Sequence, residues 1–206
     1  SEQSENPTLA SVTVEIQKDI EGGSSLLDAL ANNNFDEAYP IQKQAIPAIL
    51  KGTDVLGIAK TGSGKTMAYV LPILMNVKAN KSRDGQVENL VLVPTRELAI
   101  QVRDVFERFK ILLQQRMKTL AVYGGVAINP QMQALRNVDI LIATPGRLLE
   151  LVDLKAVSLS HVDTLVLVEA DKMLNLGFKD EMKRVFDLLS DDHQTLLFSA
   201  TLSSDI

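Results

Sequence analysis

Six short apolar runs, separated by stretches with helical spacing, constrain this chain more than any other feature. They are Asp54–Ile58, Asn89–Val93, Thr119–Val122, Val138–Ile142, Thr164–Val168 and Thr195–Phe198. Most are apolar throughout instead of alternating with polar residues, as expected of strands covered on both faces. Between them, Thr66–Val77, Arg96–Leu113 and Lys179–Leu189 repeat apolar residues at helical spacing, and the last sets Met182, Val185, Phe186 and Leu189 on one side. Strand and helix in alternation predict an α/β fold, a doubly wound and mainly parallel sheet with helices on both faces. Ligands of such a sheet sit beyond the carboxyl ends of its strands.

With 206 residues, 46% of them hydrophobic, the chain can bury one sizeable core without metals or disulfides. It has no cysteine, which excludes disulfide frameworks, cysteine zinc sites and thiol catalysis together. The first residues, S-E-Q-S-E-N-P-T, carry no basic-then-apolar signal, and no apolar run approaches the roughly 20 residues that span a bilayer. A cytoplasmic protein is the expectation. The net charge of −5 excludes a surface that is basic all over, so nucleic-acid binding would need a local patch. Residues 1–23 read as a partly flexible segment, with serines at the end of Glu21–Ser25 able to cap a helix through Leu30. Residues 24–206 read as one domain, and Lys78–Gly85 within it as an exposed loop.

Ala59, Lys60, Thr61, Gly62, Ser63, Gly64, Lys65 and Thr66 follow the first of these strands and precede a helix. This is the setting a phosphate-binding loop requires. Gly62 and Gly64 let successive N–H groups face one anion, reinforced by the positive end of the helix dipole. Lys65 would reach the β- and γ-phosphates, and the Thr66 hydroxyl would ligate Mg²⁺. Ala59 stands where the usual pattern has its first glycine. The bland alternative is a glycine turn with an incidental lysine.

A second strand of such a site normally ends in an aspartate that helps hold Mg²⁺, with a nearby carboxylate that handles the attacking water. The run Leu165–Val168 ends in Glu169 and Asp171, but the position before Glu169 is Val168.

These strings bring a family into view. V-E-A-D-K-M-L resembles the D-E-A-D box with its first aspartate replaced, and residues 24–206 are similar to the first RecA-like lobe of DEAD-box RNA helicases. The resemblance rests on P-I-Q (Pro40–Gln42), T-G-S-G-K-T (Thr61–Thr66), P-T-R-E-L-A (Pro94–Ala99) and G-G (Gly124, Gly125). It rests equally on T-P-G-R (Thr144–Arg147), E-A-D (Glu169–Asp171) and S-A-T (Ser199–Thr201). Gly124–Arg136 further resembles the bacterial RhlE-like branch.

The resemblance implies an ATP-binding lobe with ATP and Mg²⁺ as cofactors, RNA as partner and a second RecA-like lobe in cis that this chain lacks. Gln42 would read the adenine edge with Phe35 stacked on the ring, the bland alternative being that Phe35 is only a core residue at a helix entry. Pro94, Thr95, Arg96, Gly124, Gly125, Thr144, Pro145, Gly146 and Arg147 would meet RNA phosphates and sugars, with little sequence preference. Arg96 could instead pair with a neighbouring acid. Glu169 would be the general base and a metal ligand beside Thr66. Ser199 and Thr201 would bridge to Asp171, and Lys65 would complete the catalytic set. Valine supplies no oxygen at 168, so the nucleotide should bind but hydrolyse poorly. His161 and His193 read as exposed loop residues.

Overall fold

The computed structural model describes residues 40–58, 65–76, 86–112 and 116–201, with residues 40–43, 65 and 112 given by their backbone alone. In order along the chain come α1 (Pro40–Leu50), β1 (Val55–Ile58), α2 (Lys65–Asn76), β2 (Asn89–Leu92), α3 (Arg96–Leu112), β3 (Thr119–Val122) and α4 (Ile128–Ala134). After them come β4 (Ile140–Ala143), α5 (Pro145–Asp153), β5 (Thr164–Val168), α6 (Ala170–Asn175), α7 (Lys179–Leu188) and β6 (Gln194–Ser199). The sheet has six strands in the order β1-β6-β5-β2-β4-β3, and every pairing is parallel. All strands therefore end on the same rim.

The reason the runs are apolar throughout is visible in their parity. Along β2, Leu90 and Leu92 enter one core while Val91 and Val93 enter the other; along β5, Leu165 and Leu167 part in the same way from Val166 and Val168. The valine side packs against Ile46 and Ile49 of α1, Tyr69 and Leu74 of α2 and Phe106 of α3. The leucine side packs against Leu148 and Leu151 of α5, Met173 of α6 and Val185 of α7. A strand between two helical layers has no face left for water.

β1 departs from this expectation: it is an edge strand, with Leu56 54% and Ile58 44% exposed. Three helices carry too little periodicity to be read in advance. α1 holds Pro47 in its interior, which normally ends a helix because proline removes an N–H and crowds the preceding turn. α4 and α6 are seven and six residues long, short enough that packing and not pattern decides them. The amino-terminal segment and the Lys78–Gly85 loop lie outside the described residues. Among the described residues no helix is long and apolar enough to cross a membrane.

Candidate functional site

The strand order divides the rim into two halves, one over β1, β6 and β5 and the other over β2, β4 and β3. On the first half, β1 leads toward residues 59–64 and α2 begins at Lys65. Phe35, Ala59, Lys60, Thr61, Gly62, Ser63 and Gly64 lie outside the described residues; Gln42 and Lys65 are placed by backbone, in α1 and at the start of α2. Thr66 is half-buried in the first turn of α2.

β5 and β6 are neighbours in the sheet, so the acids after one meet the hydroxyls after the other. The Thr201 hydroxyl donates to Asp171 Oδ2 at 3.0 Å, and the Asp171 N–H donates to Ser199 Oγ at 3.3 Å. Asp171 Oδ1 also accepts the Lys172 N–H at 2.9 Å. Partial burial pushes the Asp171 carboxyl up, but the bonds from Thr201, the Lys172 N–H and Ser199 outweigh it and hold the group below the usual aspartate range. This joins β5 to β6 at their carboxyl ends.

Glu169 is the hinge between β5 and α6, and its backbone is left-handed, with φ 53° and ψ 52°. For a residue with a Cβ that conformation costs on the order of 1 kcal/mol or more, and such strain gathers at functional positions. The turn it makes separates two neighbours. Val168 stays inside, 7% exposed, opposite Phe198 in the ladder and in the apolar cluster that contains Tyr69. Glu169 emerges half-buried at the rim.

Tyr69 lies fully buried, 5.4 Å from Phe198 and 6.4 Å from Phe106 between ring centroids. Its hydroxyl has no hydrogen-bond partner. Burial pushes the phenol far above its ordinary pKa and the Glu169 charge adds to the push; the Thr66 hydroxyl pulls the other way without meeting hydrogen-bond geometry. A buried orphan hydroxyl about one helical turn after Thr66 is unusual.

The other half is built from helix starts and a glycine turn. Thr95 caps α3, its hydroxyl accepting the Leu98 N–H at 3.2 Å, and Pro94 before it is buried. Arg96 is exposed and stacks its guanidinium over the Tyr123 ring at 5.2 Å. Gly124 and Gly125 follow Tyr123 in the open. Gly125 needs glycine for its φ of +80°, whereas a Cβ at Gly124 would meet nothing within 4 Å, so the fold itself does not demand glycine there. α5 starts after Thr144, with Pro145 and Gly146 in its first turn and no side-chain cap on its free N–H groups. Arg147 turns inward and is 8% exposed. Its Nη1 donates to Gln131 Oε1 at 2.9 Å and its Nη2 to the Val126 carbonyl at 3.0 Å.

Sequence reasoning missed Tyr69, Tyr123 and Gln131. An aromatic directly before a glycine pair at a strand end is the signal that could have found Tyr123; nothing in I-N-P-Q marks Gln131. Both histidines have partners: His193 Nδ1 bonds the Ser190 carbonyl at 2.7 Å and Nε2 the Thr195 hydroxyl at 2.9 Å, while His161 Nδ1 lies 3.0 Å from Ser160 Oγ. His193 is thus half-buried and tied to the start of β6, not free in a loop.

The family model described as DEAD/DEAH box helicase matches residues 39–206. The chain belongs to that family. The DEAD-box ATP-dependent RNA helicase CshA of Bacillus cereus is 44% identical over 88% of this chain and 34% of its own length. DEAD-box ATP-dependent RNA helicase 30 of Arabidopsis thaliana is 43% identical, over 88% of this chain and 31% of its own. The chain spans about a third of the length of these relatives. A crystal structure of a DEAD box protein from the hyperthermophile Methanococcus jannaschii superposes with a TM-score of 0.83 at 36% identity, covering 90% of this chain and 50% of that one. The six-stranded parallel sheet is thus the RecA-like fold of a DEAD-box helicase lobe.

Proposed function

We propose that residues 24–206 form the ATP-binding lobe of an ATP-dependent RNA helicase and that Val168 impairs its hydrolysis. One observation carries this: at the end of β5 the strand delivers a strained Glu169 and a bracketed Asp171 to the rim, while the position before them is an apolar side chain packed into the core. The Gly124–Arg136 stretch supports the RhlE-like branch, and the lobe would work with a second RecA-like lobe in the cytoplasm.

The residues present fit a magnesium nucleotide, though sparsely. Among the described residues no three acids or histidines gather into a cage, and Mg²⁺ commonly takes only one or two protein carboxylates. Thr66 and Glu169 would hold it, and bound there it would neutralise charge on the phosphates. Residues 59–64 and Lys65 bind polyphosphate at the start of α2, and Gln42 and Phe35 select adenine. Glu169 accepts the proton of the attacking water. Asp171, tied to Thr201, passes the state of the nucleotide half to the strand ends. Pro94–Arg96, Gly124, Gly125 and Thr144–Gly146 grip the RNA backbone through N–H groups and the Arg96 charge.

The test is RNA-stimulated ATPase of the full-length protein against Val168→Asp. If the missing carboxylate misplaces the metal, the substitution raises the rate by on the order of a hundredfold. Equal rates would refute the proposal. A second reading, favoured by Val168, is an RNA clamp that closes on ATP without turning it over; RNA retention that depends on ATP but not on its hydrolysis distinguishes it.

A further inference from the structure

We propose that Gln131 and Arg147 form a clamp that fixes the Gly124–Gly125 turn against the start of α5, so that Arg147 serves RNA binding as a positioning residue and not by touching RNA. This rests on the reading that the turn and the helix starts meet the RNA backbone.

The clamp closes on both carbonyls that flank the glycines. Gln131, 9% exposed, donates from Nε2 to the Tyr123 carbonyl at 3.1 Å. Its other end, Oε1, accepts from Arg147 Nη1 at 2.9 Å, and Arg147 Nη2 donates to the Val126 carbonyl at 3.0 Å. One glutamine and one arginine therefore hold the main chain immediately before and immediately after Gly124 and Gly125. Arg147 Nε stays unpartnered, 3.7 Å from Glu150 Oε1. An arginine this buried, with so distant a counter-charge, costs stability unless its donors are used, and both used donors serve the turn.

Two further facts give the held turn a purpose. Gly124 and Gly146 each have open space where a Cβ would stand, so their lack of a side chain benefits an incoming group and not the packing. Arg147 is the third residue of α5, so the arginine that holds the turn also belongs to the helix start whose free N–H groups face the same rim. The clamp thereby sets the spacing between two main-chain anion sites. The Tyr123 residue whose carbonyl it holds carries Arg96 on its ring. The aromatic platform, and the charge on it, are set by the same link.

The experiment measures binding of a fluorescein-labelled oligouridylate to the full-length protein with a non-hydrolysable ATP analogue, across a range of salt. Gln131→Ala changes no charge; the clamp predicts roughly tenfold weaker binding with the salt slope unchanged. Arg147→Lys keeps the charge but loses the two-pronged geometry and should weaken binding equally, and the double variant should be no worse than either. Arg96→Ala, a direct contact, should instead lower the salt slope by about 1. Wild-type binding to Gln131→Ala, or a salt slope lowered by about 1 in Arg147→Gln, overturns the clamp, since Arg147 would then be touching phosphate. Absence of salt-dependent binding in the wild type sinks the RNA reading itself. Gln131→Met replaces Gln131→Ala if thermal melting shows the smaller side chain to unfold the protein.

Discussion

At the end of β5 the chain grips a side chain: Thr201 and Lys172 hold the Asp171 carboxylate. At the end of β3 the grip is reversed, and the side chains of Gln131 and Arg147 hold the main chain on either side of Gly124 and Gly125. On the proposed function the two halves of the rim face different chemical tasks. Moving a proton and seating a cation require carboxylates of definite charge, which only side chains supply. Gripping a polyanion without regard to sequence is better done by N–H groups, which are identical at every residue, leaving side chains to fix their geometry.

If that division is real, each half can be damaged without the other. The largest effect should come from Val168→Asp, with turnover up by on the order of a hundredfold and nucleotide-free RNA binding within about twofold by anisotropy. The same change places a carboxylate at a position 7% exposed and should cost about 1–3 kcal/mol in urea unfolding. A gain in turnover with RNA binding altered in parallel would erase the boundary between the halves.

Breaking the bracket should be milder. Asp171 is half-buried, so its bonds are partly screened by water, and Thr201→Ala or Asp171→Asn should each cost about 1 kcal/mol. The sign follows from the lowered carboxyl. Its contribution is fully present above the ordinary aspartate range and is lost as pH falls through the lowered folded value. The stability gap between wild type and Asp171→Asn should therefore close on acidification. A gap that is constant with pH would assign the loss to packing.

On the other half, Tyr123→Leu should cost RNA affinity a fewfold, the worth of about 0.5–1 kcal/mol for an exposed cation–π contact, while leaving the salt slope intact. ATP-analogue affinity should not move. Smallest of all, Tyr69→Phe removes a hydroxyl that bonds nothing and should change stability by less than about 1 kcal/mol at neutral pH. Since burial holds that phenol neutral, its contribution is complete below the ordinary tyrosine pKa of about 10 and declines as pH rises beyond it. Wild type should lose stability faster than Tyr69→Phe in alkali.

The sheet was legible because its strands lie between two helical layers and must be apolar at every position, and five of the six runs match observed strands to within a residue at each end. The fourth is displaced toward the carboxyl end, to Ile140–Ala143, because Val138 and Asp139 are buried as the approach to the strand. α1 was not read as a helix, and its interior Pro47 does not alone account for that, since α2 carries Pro72 and its helical spacing was read. The rim strings were legible as strings. Their division of labour was not: that Arg147 points inward follows from the placement of Gln131, sixteen residues earlier in another helix, and no local pattern encodes that distance. Arg96 shows the same limit, since its platform is an aromatic from a different strand end.

The chain contains no tryptophan and three tyrosines, and two of these stand one near each half of the rim. Tyr69 lies in the core below the ends of β5 and β6, the half proposed to meet nucleotide, and Tyr123 follows the end of β3, in the half proposed to meet RNA. With no indole to mask tyrosine emission, Tyr→Phe substitution at each position in turn would divide any fluorescence change on adding adenylate or polynucleotide among Tyr69, Tyr123 and the third tyrosine, Tyr39.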